Sequence, residues 1–154
     1  DALVRQVADL TGEFGDGQVV VGPIVADLAE AARSARAALS GMRAARAWPD
    51  APRPVAAEDL LPERALSGDG HARRTLANDL YRPIVDAGRD LADTLAAFFE
   101  SGGSIEATAR AQYVHPNTVR YRLRRIHELT GYSPLDPRGG YALRLALTLG
   151  RLLD

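Results

Sequence analysis

The chain is expected to be an α+β protein, mostly helical, with a partial α/β sandwich at its N-terminal end and an all-helical C-terminal part. Three observations predict this. Apolar residues recur at three- and four-residue spacing through most of the chain. A β-branched run at Gln18–Gly22 and an extended-looking segment at Pro54–Leu60 bracket one long helical stretch. After Ser104 a short helix, a tight turn and a proline-started helix follow one another.

Taken in order, Gln18-Val19-Val20-Val21-Gly22 predicts a short buried strand. Ala26 to Ala47 predicts one long helix with Leu28, Ala31, Ala35, Ala38/Leu39 and Met42 on its inward stripe. Trp48-Pro49-Asp50, with Pro52 and Pro54, ends that helix in a loop. Two strands and a helix are too little sheet to stand alone, so the chain is expected to begin inside a larger domain. Leu61 to Asp86 is helical in pattern but interrupted by Pro62, Gly68, Gly70 and Pro83, with a helix at Asp69–Tyr81 and Leu76 and Leu80 inward. Asp90 to Glu100 places Leu91, Leu95, Phe98 and Phe99 on one face, and Ser101-Gly102-Gly103 stops it. Ser104 caps Ile105–Ala111, Pro116 opens a helix that runs to Thr130, and Gly131 closes it. Arg138 to Leu153 forms a leucine-rich last helix. The expected organisation is a partial α/β region at 1–60, a helical connector at 61–87 and a helical domain at 88–154.

Composition narrows the function classes. With 154 residues, 46% hydrophobic and 25% charged, the chain has the balance of a soluble globular protein. No apolar run reaches the roughly 18 residues a bilayer span needs, and the opening DALVRQVADL lacks the basic region and cleavage site of a secretory signal. The absence of cysteine excludes disulfides and thiolate metal sites, and a cytoplasmic location is expected. The net charge of −1 argues against nucleic-acid binding by the whole surface. All 19 basic residues are arginine, as a GC-rich coding bias would give. The distribution carries more information, because Arg120, Arg122, Arg124 and Arg125 fall within six residues.

That cluster lies on the second helix of a helix-turn-helix arrangement. On a wheel of about 100° per residue, Val119, Leu123 and Ile126 fall together and Leu129 lies near them. Asn117, Thr118, Arg120, Tyr121, Arg124 and Arg125 occupy the opposite side, with no acid before Glu128. Amide, hydroxyl and guanidinium groups are those that bond base edges and phosphates. N-terminal residues of such a helix reach bases, so Asn117, Thr118 and Tyr121 are expected at base edges. Arg120, Arg124 and Arg125 are placed for phosphates, with Arg124 also within reach of a base. Ser104 and His115 complete the expected DNA-contacting set, and Arg122, at the edge of the inner stripe, is expected to turn toward the core.

The segments Gly102-Gly103-Ser104-Ile105-Glu106-Ala107-Thr108-Ala109, Val114-His115-Pro116-Asn117-Thr118-Val119-Arg120-Tyr121-Arg122-Leu123 and Leu129-Thr130-Gly131 resemble the C-terminal helix-turn-helix of the PucR/CdaR family of bacterial regulators. The resemblance is tight over about 90–153 and looser over 18–60. The looser part is similar to the second half of the GGDEF-like domain that precedes the DNA-binding part in such regulators. It implies a transcription regulator that binds double-stranded DNA, as a homodimer, without a cofactor. One departure stands before the turn, where the family's apolar pair is replaced by Gln112-Tyr113.

Enzymatic readings find little support. No GGDEF-type acidic run exists, and Gly12-Glu13-Phe14-Gly15-Asp16-Gly17 reads as a glycine-rich turn before a strand. His71, His115 and His127 are scattered, so no metal site is expected, and Ser101 and Ser104 lack a paired His and Asp. The alternative from a different class is a protein-interaction module using the leucine-rich last helix, where Leu143 and Leu147 point one way and Leu145, Leu149 and Leu152 another.

Overall fold

The computed structural model describes residues 2–153, and the chain divides into two compact units with the boundary between Ala72 and Arg73. The first unit opens with helix α1 (Ala2–Leu10) and a 3₁₀ turn at Thr11–Glu13. Strand β1 (Val20–Val21), helix α2 (Ala31–Ala44), strand β2 (Val55–Ala56) and helix α3 (Leu61–Leu66) follow. β1 and β2 pair in parallel, Val20 opposite Val55 and Val21 opposite Ala56, with α2 as the crossover between them. Ladder bonds run from the Val55 N–H to the Val19 carbonyl (2.9 Å) and from the Ala57 N–H to the Val21 carbonyl (2.8 Å). Val55 and Leu60, both fully buried, form the centre of this unit with Ala45, and Val20, Trp48 and Ala51 pack around them. The expected strand at 18–22 is present but shorter and only half-buried.

The long helix differs from expectation in extent and in facing. It is three pieces, because Asp27 accepts the Glu30 N–H (3.1 Å) to start a 3₁₀ turn at Leu28–Glu30, and a second such turn ends α2 at Ala45–Ala47. The inward face is Ala37, Ser40, Gly41 and Ala44, whereas Leu28, Leu39 and Met42 are 92%, 61% and 50% exposed. Close approach explains the inversion. A Cβ at Gly41 would lie 2.7 Å from Val20 Cγ1, so α2 sits against β1 at a distance that only small side chains permit.

After α3 the chain turns at Asp69, whose carboxylate accepts the N–H groups of His71 (2.8 Å) and Ala72 (3.2 Å) at the start of helix α4 (Gly70–Thr75). The same carboxylate receives the buried Arg64 guanidinium at 2.9 Å, and Arg64 also donates to the Ala57 carbonyl (2.9 Å). Burial alone would raise the Asp69 pKa. Hydrogen bonds from Ser40, Ala72 and Arg64, with the charge of Arg64, outweigh it and lower the group from 3.8 to about 2.

The second unit is helical throughout. A π-helical stretch at Leu76–Tyr81 leads into α5 (Arg82–Ala87), followed by α6 (Arg89–Glu100), α7 (Ile105–Ala111), α8 (Pro116–Thr130) and α9 (Pro137–Leu153). Pro83 does not interrupt the path as its identity suggests. The wide π turn ahead of it leaves Pro83 in the first turn of α5, where no intrahelical N–H bond is required of it. Leu76 and Leu80 point inward as expected, and Leu76, Ile84, Leu95, Ile126 and Leu143 have no exposed surface. Leu143 and Leu147 of α9 are buried, Leu145 and Leu149 are half-buried, and Leu152 and Leu153 are exposed. No helix of the described residues is long and apolar enough to cross a membrane.

Candidate nucleic-acid interface

Three helices build the site. α7 starts at Ser104, whose hydroxyl accepts the Ala107 N–H at 3.2 Å. Within α7 the fully buried Thr108 hydroxyl donates to the Ser104 carbonyl (2.7 Å). The helix closes on a left-handed residue, Tyr113, with φ +55°. The Val114 N–H bonds the Ala109 carbonyl (3.0 Å) and the Tyr113 N–H bonds the Arg110 carbonyl (3.3 Å), the paired bonds of a Schellman ending. His115 then caps α8, its Nδ1 accepting the Asn117 N–H at 3.1 Å, which places the neutral ring's proton on Nε2. Pro116 occupies the first helical turn, and Gly131, at φ +76°, ends the helix with its N–H on the His127 carbonyl (2.8 Å).

α8 has the two faces its sequence implies. Val119, Leu123 and Ile126 are buried at 0%, 2% and 0% exposure. Asn117, Arg120, Tyr121, Arg124 and Arg125 are exposed on the other side together with the cap His115, while Thr118 and Ser104 are half-buried. The structure therefore gathers seven of the eight expected contact residues on the start and outer side of α8. Ser104 stands apart at the head of α7.

Arg122 turns away from this face. Its guanidinium meets Asp90 (2.9 Å) and the hydroxyl of Thr94 (3.0 Å) on α6. Thr94, fully buried, in turn donates to the side-chain carbonyl of Gln112 (2.8 Å). This chain of bonds ties α6, the end of α7 and α8 together. It also gives Gln112 a polar partner at a position where the resemblance leads one to expect an apolar residue.

The outer face carries its own counter-charges. Arg120 bonds Glu106 of α7 (3.1 Å) and the side-chain oxygen of Asn117 (3.0 Å), and Arg125 pairs with Glu128 (3.1 Å). These pairs are about half-exposed, and such ion pairs contribute little to stability. They are thus cheap to exchange for other anions, and among the described residues Arg124 has no such carboxylate partner. Glu106→Gln removes both the competitor of Arg120 and a charge that repels phosphate. If this face binds DNA, the variant is expected to bind it about two- to fivefold more tightly at fixed salt, by fluorescence anisotropy. Unchanged or weaker binding would mean that Arg120 does not exchange partners.

Sequence reasoning missed two participants, Glu106 and Thr94. Thr94 lies among Leu91, Leu95 and Phe98 on the apolar stripe of α6, and a polar residue there was the available signal. Glu106 is 14 positions from Arg120 and gave none.

Residues 91–149 match the PucR C-terminal helix-turn-helix domain family. An uncharacterized protein of Mycobacterium tuberculosis is 54% identical over 144 residues, which is 94% of this chain and 35% of that protein. The purine catabolism regulatory protein of Bacillus subtilis is 45% identical over 66 residues, 43% of this chain and 12% of that one. The crystal structure of a regulator of polyketide synthase expression from Bifidobacterium adolescentis matches with a TM-score of 0.86 and 36% identity, over 97% of this chain and 60% of that one. The chain spans about a third of the length of the mycobacterial relative. Residues 91–149 thus form a PucR C-terminal helix-turn-helix domain, in a chain homologous to regulators of the PucR/CdaR type.

Proposed function

We propose that the protein is a sequence-specific, DNA-binding transcription regulator that uses α8 as its recognition helix. The observation that carries this reading is the exposed run of Asn117, Arg120, Tyr121, Arg124 and Arg125 on a helix whose opposite face is fully buried. Docked in the major groove, Asn117, Thr118 and Tyr121 at the helix start meet base edges. Arg120, Arg124 and Arg125 neutralise phosphates, His115 adds its Nε2–H at the helix entrance, and Ser104 heads the bracing helix α7 near the backbone.

One short recognition helix addresses few base pairs, so a homodimer reading two half-sites completes the proposal. The parallel β1–α2–β2 unit supports reading the N-terminal part as a piece of a GGDEF-like domain. A cytoplasmic location follows from action on DNA. No step of this mechanism calls for an enzymatic group, a metal or a cofactor.

Selection of genomic DNA fragments by the purified protein, followed by sequencing, tests the reading. An enriched motif is expected, and a palindrome in it would establish dimeric binding. The Asn117→Ala/Arg124→Ala double variant is expected to lose the motif. Singly, Asn117→Ala should lower affinity about 5- to 150-fold and relax one base position, and Arg124→Ala should reduce the salt slope by about one. No enrichment by a folded wild type at low salt would overturn DNA binding. The exposed Leu152 and Leu153 at the end of α9 would then favour a protein-interaction module.

A further inference from the structure

We infer that Tyr113 is a DNA-contacting residue, its phenolic hydroxyl donating to a backbone phosphate oxygen beside the groove that receives α8. This rests on the proposed docking of α8 and adds to it a residue on the turn.

Tyr113 is the one described non-glycine residue with positive φ, at +55°. An L side chain is strained there, and the position that closes a Schellman ending is ordinarily glycine or asparagine. The tyrosine gains nothing locally for that strain. The residue is 96% exposed, and its hydroxyl has no hydrogen-bond partner among the described residues. An exposed aromatic held in a sparsely populated backbone conformation points to a task outside the fold.

Its place in the chain says which task. In a docked helix-turn-helix the first helix crosses the DNA backbone while the second lies in the groove, so the residues joining them lie where groove and backbone meet. Tyr113 is four residues before Asn117 and two before His115, and both of these are exposed at the start of α8. Arg110, on the last turn of α7, is exposed on the other side of it. A phenol presents a rigid, neutral donor at the end of a ring, which suits a phosphate oxygen just outside the groove.

The neutrality of the donor makes the inference separable from the arginine contacts. Tyr113→Gly removes the ring and relieves the backbone, and Tyr113→Phe removes the hydroxyl alone. Both are to be titrated against a selected DNA fragment over a range of salt, beside wild type and the Asn117→Ala/Arg124→Ala variant. The expected result is an affinity about tenfold lower for both Tyr113 variants, with the wild-type salt slope, because a neutral donor releases no counterion. Tyr113→Gly should melt no lower than wild type, so its weaker binding cannot be lost folding; Tyr113→Asn, which tolerates the left-handed conformation, repeats the test with a different side chain. Wild-type affinity in Tyr113→Phe would overturn the phosphate contact. Wild-type affinity in all three Tyr113 variants, with the double variant inactive, would overturn the inference and leave the recognition helix standing. A wild type that binds no DNA would overturn both.

Discussion

Ile126→Ala is expected to lower the stability of the helical unit by about 3 kcal/mol, whereas Arg124→Ala, two positions earlier, should leave it within about 0.5 kcal/mol. The two residues lie on opposite faces of α8. Ile126 has no exposed surface, and truncating it removes three methyl or methylene carbons from a packed core and leaves a cavity. For a unit of this size the melting temperature should fall on the order of 15 °C. Arg124 is exposed, so its loss should leave the packing untouched. Urea unfolding should be followed by far-ultraviolet circular dichroism, since the single tryptophan, Trp48, lies in the other unit. Equal and small losses for both variants would contradict the packing of α8 described above. The contrast also guards the functional test, because loss of DNA binding in Arg124→Ala can then be ascribed to the surface.

The helical unit was largely legible from sequence because its signals are local. Ser104, Pro116 and Gly131 mark helix ends by chemistry that acts within one turn, and the Val119–Leu123–Ile126 stripe needs no knowledge of its partner. The same locality explains what was not legible. The bond from Arg122 to Thr94 spans 28 positions, and that from Arg120 to Glu106 spans 14. Nothing in the periodicity of either helix selects these partners. Tyr113 was also hidden, since its identity argues against the left-handed conformation that it adopts.

In the N-terminal unit a correct element was read with the wrong face inward. The apolar pattern of residues 26–47 follows the largest side chains, Leu28, Leu39 and Met42, and ranking by size assumes that burial rewards bulk. Here the partner strand lies so close that Gly41 fits and a larger residue there would not. The alternation of alanine on both sides of α2 supplied two stripes, and only the position of β1, set by pairing with β2 some 35 residues later, chooses between them.

Close approach governs the last helix too, and it reverses the sign of a familiar rule. Gly150→Ala in α9 should stabilise an isolated helix by about 1 kcal/mol, because glycine loses more backbone entropy on folding. In this protein the substitution is expected to destabilise by about 2 kcal/mol net. A Cβ at position 150 would overlap the ring of Tyr81, at the end of the π-helical stretch, so the ring or the helix must shift. The test is a double-mutant cycle. In a Tyr81→Ala background the obstructing ring is gone, and Gly150→Ala should turn neutral or stabilising, recovering the helix propensity that the native contact overrides. A destabilisation of the same size in both backgrounds would locate the cost elsewhere than in the contact between α9 and Tyr81. A stabilisation in the wild-type background would show that α9 can move away without loss, and that its glycine is not needed for close packing.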